Sequence, residues 1–585
     1  MPLMFPLHEP LDDILREELA QYDDLTAALL ARRGIQTKED AEKFLNPSYD
    51  EHLHNPLLMT DMQKAAERLS TAILSGERIA VWSDYDCDGI PGAVILHDFL
   101  KKTGANFENY IPHRHDEGYG MNVNGIEGLA KGGTKLIVTV DSGITDLEPI
   151  ARAKELGMEV IITDHHMPAQ SGLPDAYAVV NTNARADENY PFHELCGAGV
   201  AWKLVCATLS RLRSTQVARG EEPVPVGWEK WLLDMVGLAT IADMVPLIGE
   251  NRVLAKFGLL VLRKSPRIGL KKLLRGIRVD QRALTEDDIG FMIAPRVNAA
   301  SRMGDAREAF TLFTTADENE ADALAKKLES ANRKRKAEAG ALTRAVHTRI
   351  KERSEMREVI ALGDPEWRPS LLGLVAGGIA DEYERPVFLW GREGNGSIKG
   401  SVRSGGGVHA LELMQATEKT FVECGGHAAA GGFTVRDDAI FFLEDKLVEA
   451  YARLNEKNEL VDSLEMHADA EVQPEELHTA FLTKIEKLAP FGQQNPKPVF
   501  LLRKIIVQNI SHFGKSEEHL KLKISSEEKP NQSIDAVSFF AKGTLARAAS
   551  ACTERCRADI LAHLERDTFS RWNPIRLRLL DIRLV

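Results

Sequence analysis

The sequence predicts an α/β protein: a doubly wound parallel sheet first, a second α/β unit joined to it by a long helix, and a small all-β module at the end. Three observations lead there. Between residues 78 and 181, short β-type runs alternate with helical spacing, the rhythm of βαβ units. One helical pattern runs through residues 316–353, a length that often bridges domains. After about residue 461 the chain breaks into repeated short β-like runs, as small all-β modules do.

In order, residues 1–70 are polar, with helix-like stretches at 11–20 and 38–44, and read as an N-terminal extension packed on the following domain. Residues 78–83 form a β-type run, 92–102 carry helical spacing and 107–111 are β-type again. The apolar KLIVTV at 135–140 is a buried strand, 145–156 a helix, MEVIIT at 158–163 a strand and 178–181 another. Inside the long helix, Asn332-Arg333-Lys334-Arg335-Lys336 is a basic run whose plain reading is a solvated face. A second α/β unit covers 358–454 and is glycine-rich at Gly405–Gly407 and Gly425–Gly432. The terminal β runs are 499–507, 520–524, 534–540 and 575–585. The expected division is 1–70, 71–250, 251–356, 357–456 and 457–585, because 585 residues exceed one ordinary core.

Hydrophobic residues make up 44% and charged residues 27%, the balance of a soluble globular chain. With no apolar run of about eighteen residues and no basic, then apolar, N-terminal leader, the expected compartment is the cytoplasm, without a membrane partner. Six scattered cysteines do not read as a disulfide framework, and Cys552 and Cys556 lack the second pair a zinc site needs. The net charge of -14 argues against a generic nucleic-acid binder. Clustered acidic ligands inflate that sum, however, and a binding groove needs only local positive charge.

Three clusters follow strands directly: Asp84-Tyr85-Asp86-Cys87-Asp88-Gly89 after 79–82, Asp141-Ser142-Gly143 after LIVTV, and Asp164-His165-His166 after VIIT. In open α/β sheets the ligand crevice lies at the carboxyl ends of the strands, so one sheet edge receives all three. Each cluster alone has a bland reading: a D-x-D or Asp-Ser-Gly after a strand is commonly a turn or helix cap. The set is harder to dismiss, because gathered carboxylates repel unless cations sit between them. Oxygen ligands with imidazole suit Mn²⁺ or Mg²⁺. Two such ions about 3.5–4 Å apart can activate water and stabilise both oxygens of a phosphoryl displacement, which makes phosphoester hydrolysis the leading reaction class.

These clusters resemble the first three motifs of the DHH phosphoesterase superfamily, with a fourth at 237–247 containing Asp243. The resemblance implies Asp86 and Asp141 on one metal, and Asp88, Asp141, His165 and Asp243 on the other. Asp84 and His166 then lie beside the centre as support, as ligand (Asp84) or as substrate contact (His166). Further segments are similar to the RecJ exonuclease family: Ala294-Pro295-Arg296-Val297-Asn298-Ala299-Ala300 linking the lobes, and Ser401-Val402-Arg403-Ser404 with Gly425-Gly426-His427 in a DHHA1-like substrate-binding domain. Arg403 suits bidentate phosphate contact, and Ser404 can donate its hydroxyl. Gly425 and Gly426 permit close backbone approach, and His427 can contact the scissile phosphate. Alone, Arg403 reads as a surface ion pair and His427 as a helix-start or core histidine.

Residues 488–500 are similar to the entry of the family's OB-fold-like barrel. There Phe513, Phe539 and Phe540 with Lys515, Lys521, Lys523 and Lys542 could stack bases and hold a backbone, although phenylalanines in β runs are more commonly core. Cys87, Ile90-Pro91 and Ser301 depart from the family pattern without touching a ligand position. The resemblance implies a two-metal (Mn²⁺ or Mg²⁺) exonuclease that degrades single-stranded DNA 5′ to 3′ into 5′-mononucleotides in repair and recombination. It also implies a single-strand-binding protein and a RecQ-type helicase as partners; a monomer is expected. The alternatives are a DHH phosphodiesterase for short oligonucleotides or cyclic dinucleotides, and a non-catalytic DNA-binding replication scaffold. The extra N-terminal and β regions argue against the first, and the intact carboxylates against the second.

Overall fold

Short apolar runs punctuated by acidic turns form the first sheet, and the computed structural model places five of them side by side. It describes residues 5–585 except 170, 221, 393–395, 406, 418–419, 457–465, 515–516, 518, 542, 553–554 and 568–573. The chain divides into two compact units. The sheet unit is Glu39–Arg335 with Leu488–Pro496; the barrel unit is Met1–Lys38, Lys336–Lys487 and Lys497–Val585. The polar N-terminal stretch, read as one extension on the following domain, is thus divided between the units. In the barrel unit Leu7 bridges Ala468 and Arg32 pairs with Asp469 at 2.9 Å.

In the sheet unit, β1 (Arg78–Ser83), β2 (Asn106–Tyr110), β3 (Leu136–Val140), β4 (Glu159–Thr163) and β5 (Ala178–Val180) lie in the order β2-β1-β3-β4-β5. All are parallel, so every strand ends at the same edge. Alternate side chains enter opposite cores. Ile79, Val81, Leu136, Val138 and Val140 pack under the helices Met62–Ser75, Gly89–Lys102 and Gly197–Ala218. Ala80, Trp82, Ile137 and Ile162 pack against Val123–Lys131 and Leu147–Glu155. Burial on both faces explains why the inner strands β1, β3 and β4 read as continuous apolar runs, whereas the edge strand β2 is partly exposed. Pro91 sits in the first turn of Gly89–Lys102, where a missing N–H costs no helical bond.

The helices Leu233–Ala242 and Gly249–Leu262 cross at Gly237 and Gly258, backbone against backbone. A Cβ on Gly258 would lie 2.4 Å from Gly237 Cα and 2.8 Å from Leu233 O. This crossing fixes the first helix, at whose C-terminus Asp243 sits.

The barrel unit holds two sheets. β6 (Ile360–Gly363), β7 (Val387–Arg392), β8 (Ile398–Arg403), β9 (Phe421–Gly426) and β10 (Ala430–Val435) pair in the order β6-β7-β8-β10-β9. Only β6–β7 is parallel. The last sheet comprises β11 (Ala470–Glu471), β12 (Phe500–Phe513), β13 (His519–Ser525), β14 (Ser533–Ser538), β15 (Arg557–Arg566) and β16 (Ile575–Leu584). β12 pairs β15 through Phe500–Ile506 and β13 from Ile506 onward, with irregularities between Leu502 and Ile505 and between Val507 and Asn509. Those bends let one long strand close five strands into a barrel, as bulges do. β14 ends at Ser538, so Phe539 and Phe540, expected within a strand, lie beyond it. The cysteines did not read as a disulfide framework, but Cys552 and Cys556 are joined in a disulfide with Cα atoms 5.6 Å apart. The helix Glu318–Lys351 runs from one unit into the other. Among the described residues no helix is long and apolar enough to cross a membrane.

Adding one methyl at the glycine crossing must separate two helix backbones. Gly258→Ala is expected to destabilise the fold by about 1–3 kcal/mol, read as a lowered midpoint in urea unfolding.

Candidate metal centre

The edge where β1, β3 and β4 end collects the acidic and imidazole groups. After β1 the chain turns back on itself, and Asp86 Oδ1 accepts from the N–H groups of Asp88 (2.8 Å) and Gly89 (3.1 Å). Asp88 accepts from Gly197 N (2.6 Å) and Ala198 N (2.9 Å) at the start of a 22-residue helix, where the helix dipole favours negative charge. Asp141, directly after β3, holds a left-handed backbone at φ 58°, a strained conformation of the kind found at functional sites. A Cβ on Gly197 would meet Asp141 Cα at 2.8 Å and Oδ1 at 2.9 Å, so this approach requires glycine.

Asp164 organises the histidines after β4. It accepts from the backbone of His165 (2.7 Å), His166 (3.2 Å) and Ile144 (3.1 Å), and from His166 Nδ1 at 2.8 Å. Asn183 and Asn181 donate to the carbonyls of His165 and His166. His165 Nε2 then lies 3.2 Å from Asp141 Oδ1, 3.7 Å from Asp243 Oδ2 and 3.8 Å from Asp88 Oδ2. Three donor sets each gather within 4.8 Å: Asp84, Asp86 and Asp141; Asp88, His165 and Asp243; Asp141, His165 and His166. Asp141 belongs to two of them. Tyr119, which the sequence reading passed over, donates to Asp141 O at 3.1 Å and lies 3.3 Å from His166 Nδ1.

The electrostatics suit a cation. Burial, then the surrounding carboxylates, pushes Asp84 and Asp141 well above the usual carboxylate range. Burial with Asp88 and Asp86 nearby lifts Asp243 to about 9. Burial lowers His165, which keeps its ring neutral and able to offer a lone pair. His166 is raised: burial opposes it, but the bond to Asp164 outweighs that. Asp84 Oδ1 and Asp141 Oδ1 are buried without a hydrogen-bond partner, a costly state for polar atoms unless an ion completes it. These residues fit divalent cations held by oxygen and imidazole. At the rim, Arg114 lies over the Tyr85 ring at 4.7 Å. Arg302 is brought down to about 10 by burial and by the like charges of Arg114 and Arg335.

The remaining predicted residues lie elsewhere. Arg296 is buried, bound to Glu329 at 2.7 Å and to Met292 O at 2.6 Å, while Asn298 Oδ1 is buried without a partner. Ser301 donates to Asn298 O at 3.2 Å. In the barrel unit, β8 and β10 put Arg403 opposite Ala430, and β10 and β9 put Gly431 opposite Gly426. That brings Arg403, Ser404, Gly425, Gly426 and His427 to one end of a single sheet. A Cβ on Gly373 would lie 2.7 Å from Arg403 Nη2, so the guanidinium rests on bare backbone. Ser404 Oγ donates to Val408 O, and His427 is exposed. On the barrel, His519 packs with Phe513, Phe539 and Phe540 at 5.0, 5.5 and 4.6 Å; Phe540 is 63% exposed. Lys521 pairs with Asp535 at 2.7 Å and Lys523 is exposed. Lys515 and Lys542 lie outside the described residues.

A parallel sheet whose switch-point edge carries Asp, Asp, Asp and Asp-His-His in this order defines a DHH-type phosphoesterase domain. The model of the DHH family N-terminal domain matches residues 78–240, that of the DHHA1 domain 356–459 and that of the RecJ OB domain 468–581. The chain is 30% identical to "Single-stranded-DNA-specific exonuclease RecJ" of Escherichia coli, over 86% of this chain and 87% of that protein. It is 33% identical to the Bacillus subtilis protein of the same name over 88% of this chain, and spans 63% of that protein's length. The crystal structure of RecJ with Mn²⁺ from Thermus thermophilus superposes with a TM-score of 0.78 at 28% identity, covering 98% of this chain and 78% of that one. The chain belongs to the RecJ family.

Proton linkage gives the centre a testable signature. The acids Asp84, Asp141 and Asp243 are raised in the folded chain. Across the window from about pH 4, where they titrate when unfolded, to the raised value of about 9 for Asp243, the folded chain therefore binds more protons. Metal-free stability consequently falls as pH rises through that window, and a cation displaces the retained protons. The rise in melting temperature on adding Mn²⁺ to chelated protein is expected to be larger at pH 8.5 than at pH 6, with proton release seen by calorimetry in buffers of different ionisation enthalpy.

Proposed function

We propose that this chain is a divalent-metal-dependent exonuclease that degrades single-stranded DNA from its 5′ end to 5′-mononucleotides by two-metal hydrolysis. The observation that carries this reading is the convergence of Asp86, Asp88, Asp141, His165 and Asp243, with Asp84 and Asp141 oxygens left unpartnered in a buried edge. Asp86 and Asp141 would hold one Mn²⁺ or Mg²⁺, and Asp88, Asp141, His165 and Asp243 would hold the other. Bound there, the cations supply an activated water and neutralise charge building on the phosphoryl oxygens.

The chain's own groups do the rest. The Gly197 and Ala198 amides aim Asp88 and oppose the rise that burial imposes on it, and Asp164 fixes the ring of His166 and the backbone of both histidines. Arg114 and Arg302 crowd like charge beside Asp86, a repulsion that a substrate phosphate relieves. Arg403, Ser404 and the Gly425-Gly426-His427 turn hold phosphates of the strand, and Arg296 and Asn298 order the segment between lobes. Phe539 and Phe540 stack bases, which tolerates any sequence because every base has a π face. The setting is cytoplasmic DNA repair and recombination by a monomer, with a single-strand-binding protein and a RecQ-type helicase supplying strands.

The test is a 5′-labelled single strand against the same strand in duplex, with Mn²⁺. Release of labelled mononucleotide from the single strand only is expected. Asp141→Ala should lose activity on the order of a thousandfold, matching the several kcal/mol that metal charge stabilisation supplies. Equal cleavage of both substrates, or activity of that variant in chelator, overturns the reading. Phe540→Ala should weaken single-strand affinity by about 1–3 kcal/mol, measured by fluorescence anisotropy.

A further inference from the structure

A short strap from late in the sequence lies beside the metal centre. Residues Leu488–Pro496 belong to the sheet unit although the chain around them does not. The strap is heavily anchored. The buried Arg252 guanidinium donates to Leu488 O (2.8 Å), Ala489 O (3.2 Å) and Phe44 O (2.5 Å), and stacks on the Phe44 ring at 3.6 Å. Asn495 Nδ2 closes the strap by donating to Leu488 O (2.8 Å) and Pro490 O (2.7 Å), and Phe491 N donates to Glu286 at 3.1 Å. Its tip meets the loop after Asp243, where Leu247 N donates to Gln493 O at 2.9 Å.

Between loop and strap lies a cavity of about 200 Å³, walled by Ile241, Met244, Val245 and Leu247 on one side and by Phe491 and Gln493 on the other. Met244 directly follows the proposed ligand Asp243 in sequence, and Ile241 lies two residues before it. Met244 takes a left-handed backbone at φ 60° and is 65% exposed. The lining is apolar apart from one side-chain amide.

We propose that this cavity receives one nucleobase of the strand, next to the scissile phosphate, and that Phe491 and Gln493 are its base-contacting residues. The inference rests on the single-strand reading above. A base has an apolar face and a polar edge, which are the two kinds of surface this cavity offers. A carboxylate-rich cavity would repel the strand, but no charged side chain lines this one, and the Glu286 carboxylate that contacts the strap is held by the Phe491 N–H. A side-chain amide both donates and accepts, so Gln493 can meet the edge of any of the four bases. The pocket therefore senses that a base is present without reading which one.

The experiment is anisotropy binding in chelator, using single strands that each carry one abasic site at successive positions. Wild type is expected to show one position where losing the base weakens binding about tenfold, within the range of one aromatic stack. Phe491→Ala should weaken the intact strand by a similar factor and leave binding of that abasic strand unchanged. Gln493→Ala, at the exposed tip, should report the same position with a smaller loss, and serves if Phe491→Ala does not fold. Equal weakening of intact and abasic strands by both variants, or no sensitive position in wild type, overturns the proposal and makes the strap a structural seam only. Hydrolysis of the same strands with Mn²⁺ is followed in parallel. A wild type that binds but cleaves nothing counts against the exonuclease reading, while the binding comparison still decides the pocket.

Discussion

Mutual repulsion of carboxylates at a buried strand edge is the constraint around which the sheet unit is organised. Asp84, Asp88 and Asp141 are almost fully buried, and ionised groups so placed are tolerated only with compensating charge or donors. Part of that compensation is internal: helix-start amides for Asp88, turn amides for Asp86, a ring N–H and three backbone N–H groups for Asp164. The remainder falls on Asp84 and Asp141, whose buried Oδ1 atoms accept no hydrogen bond, a deficit that a cation would fill. Strain at Asp141 and the close approach of Gly197 follow from holding those atoms there.

On the proposed reading the barrel unit meets a different problem, holding a flexible polyanion in a chain of strongly negative overall charge. Its solution is local. A guanidinium bedded on a bare glycine and an exposed hairpin turn share one sheet end, and an aromatic group projects past the end of β14. The overall acidity that argued against nucleic acid is a whole-chain average, and local groups of this kind are what a polyanion would meet.

Much of this was legible in the sequence, for identifiable reasons. Continuous apolar runs such as KLIVTV announce strands buried on both faces, and acidic clusters directly after them mark the ligand edge. β1 was located to the residue, and the all-β end was expected before its strands could be paired. What escaped depends on contacts between distant segments. Nothing local marks Tyr119 as a partner of His166, or Gly258 as the seat of Gly237. Arg114 and Arg302 matter because folding brings like charges together. β15 was missed because ADILAHLER mixes polar residues and strand formers without clean alternation, and Phe539 and Phe540 were placed in a strand that ends just before them. A spacing of four does not by itself mark Cys552 and Cys556 as a disulfide.

The strap at 488–496 also bears on the order in which the molecule is made. Synthesis delivers the last proposed ligand at Asp243 and finishes the main body of the sheet unit at Arg335. Another 152 residues, Lys336–Lys487, must emerge before the strap does. Domains generally fold as they leave the ribosome, so the ligand edge can gather early while the wall beside Asp243 arrives late. A nascent chain stalled between these points would carry the metal-binding groups without the strap, and neither unit can be transplanted as one continuous stretch of gene.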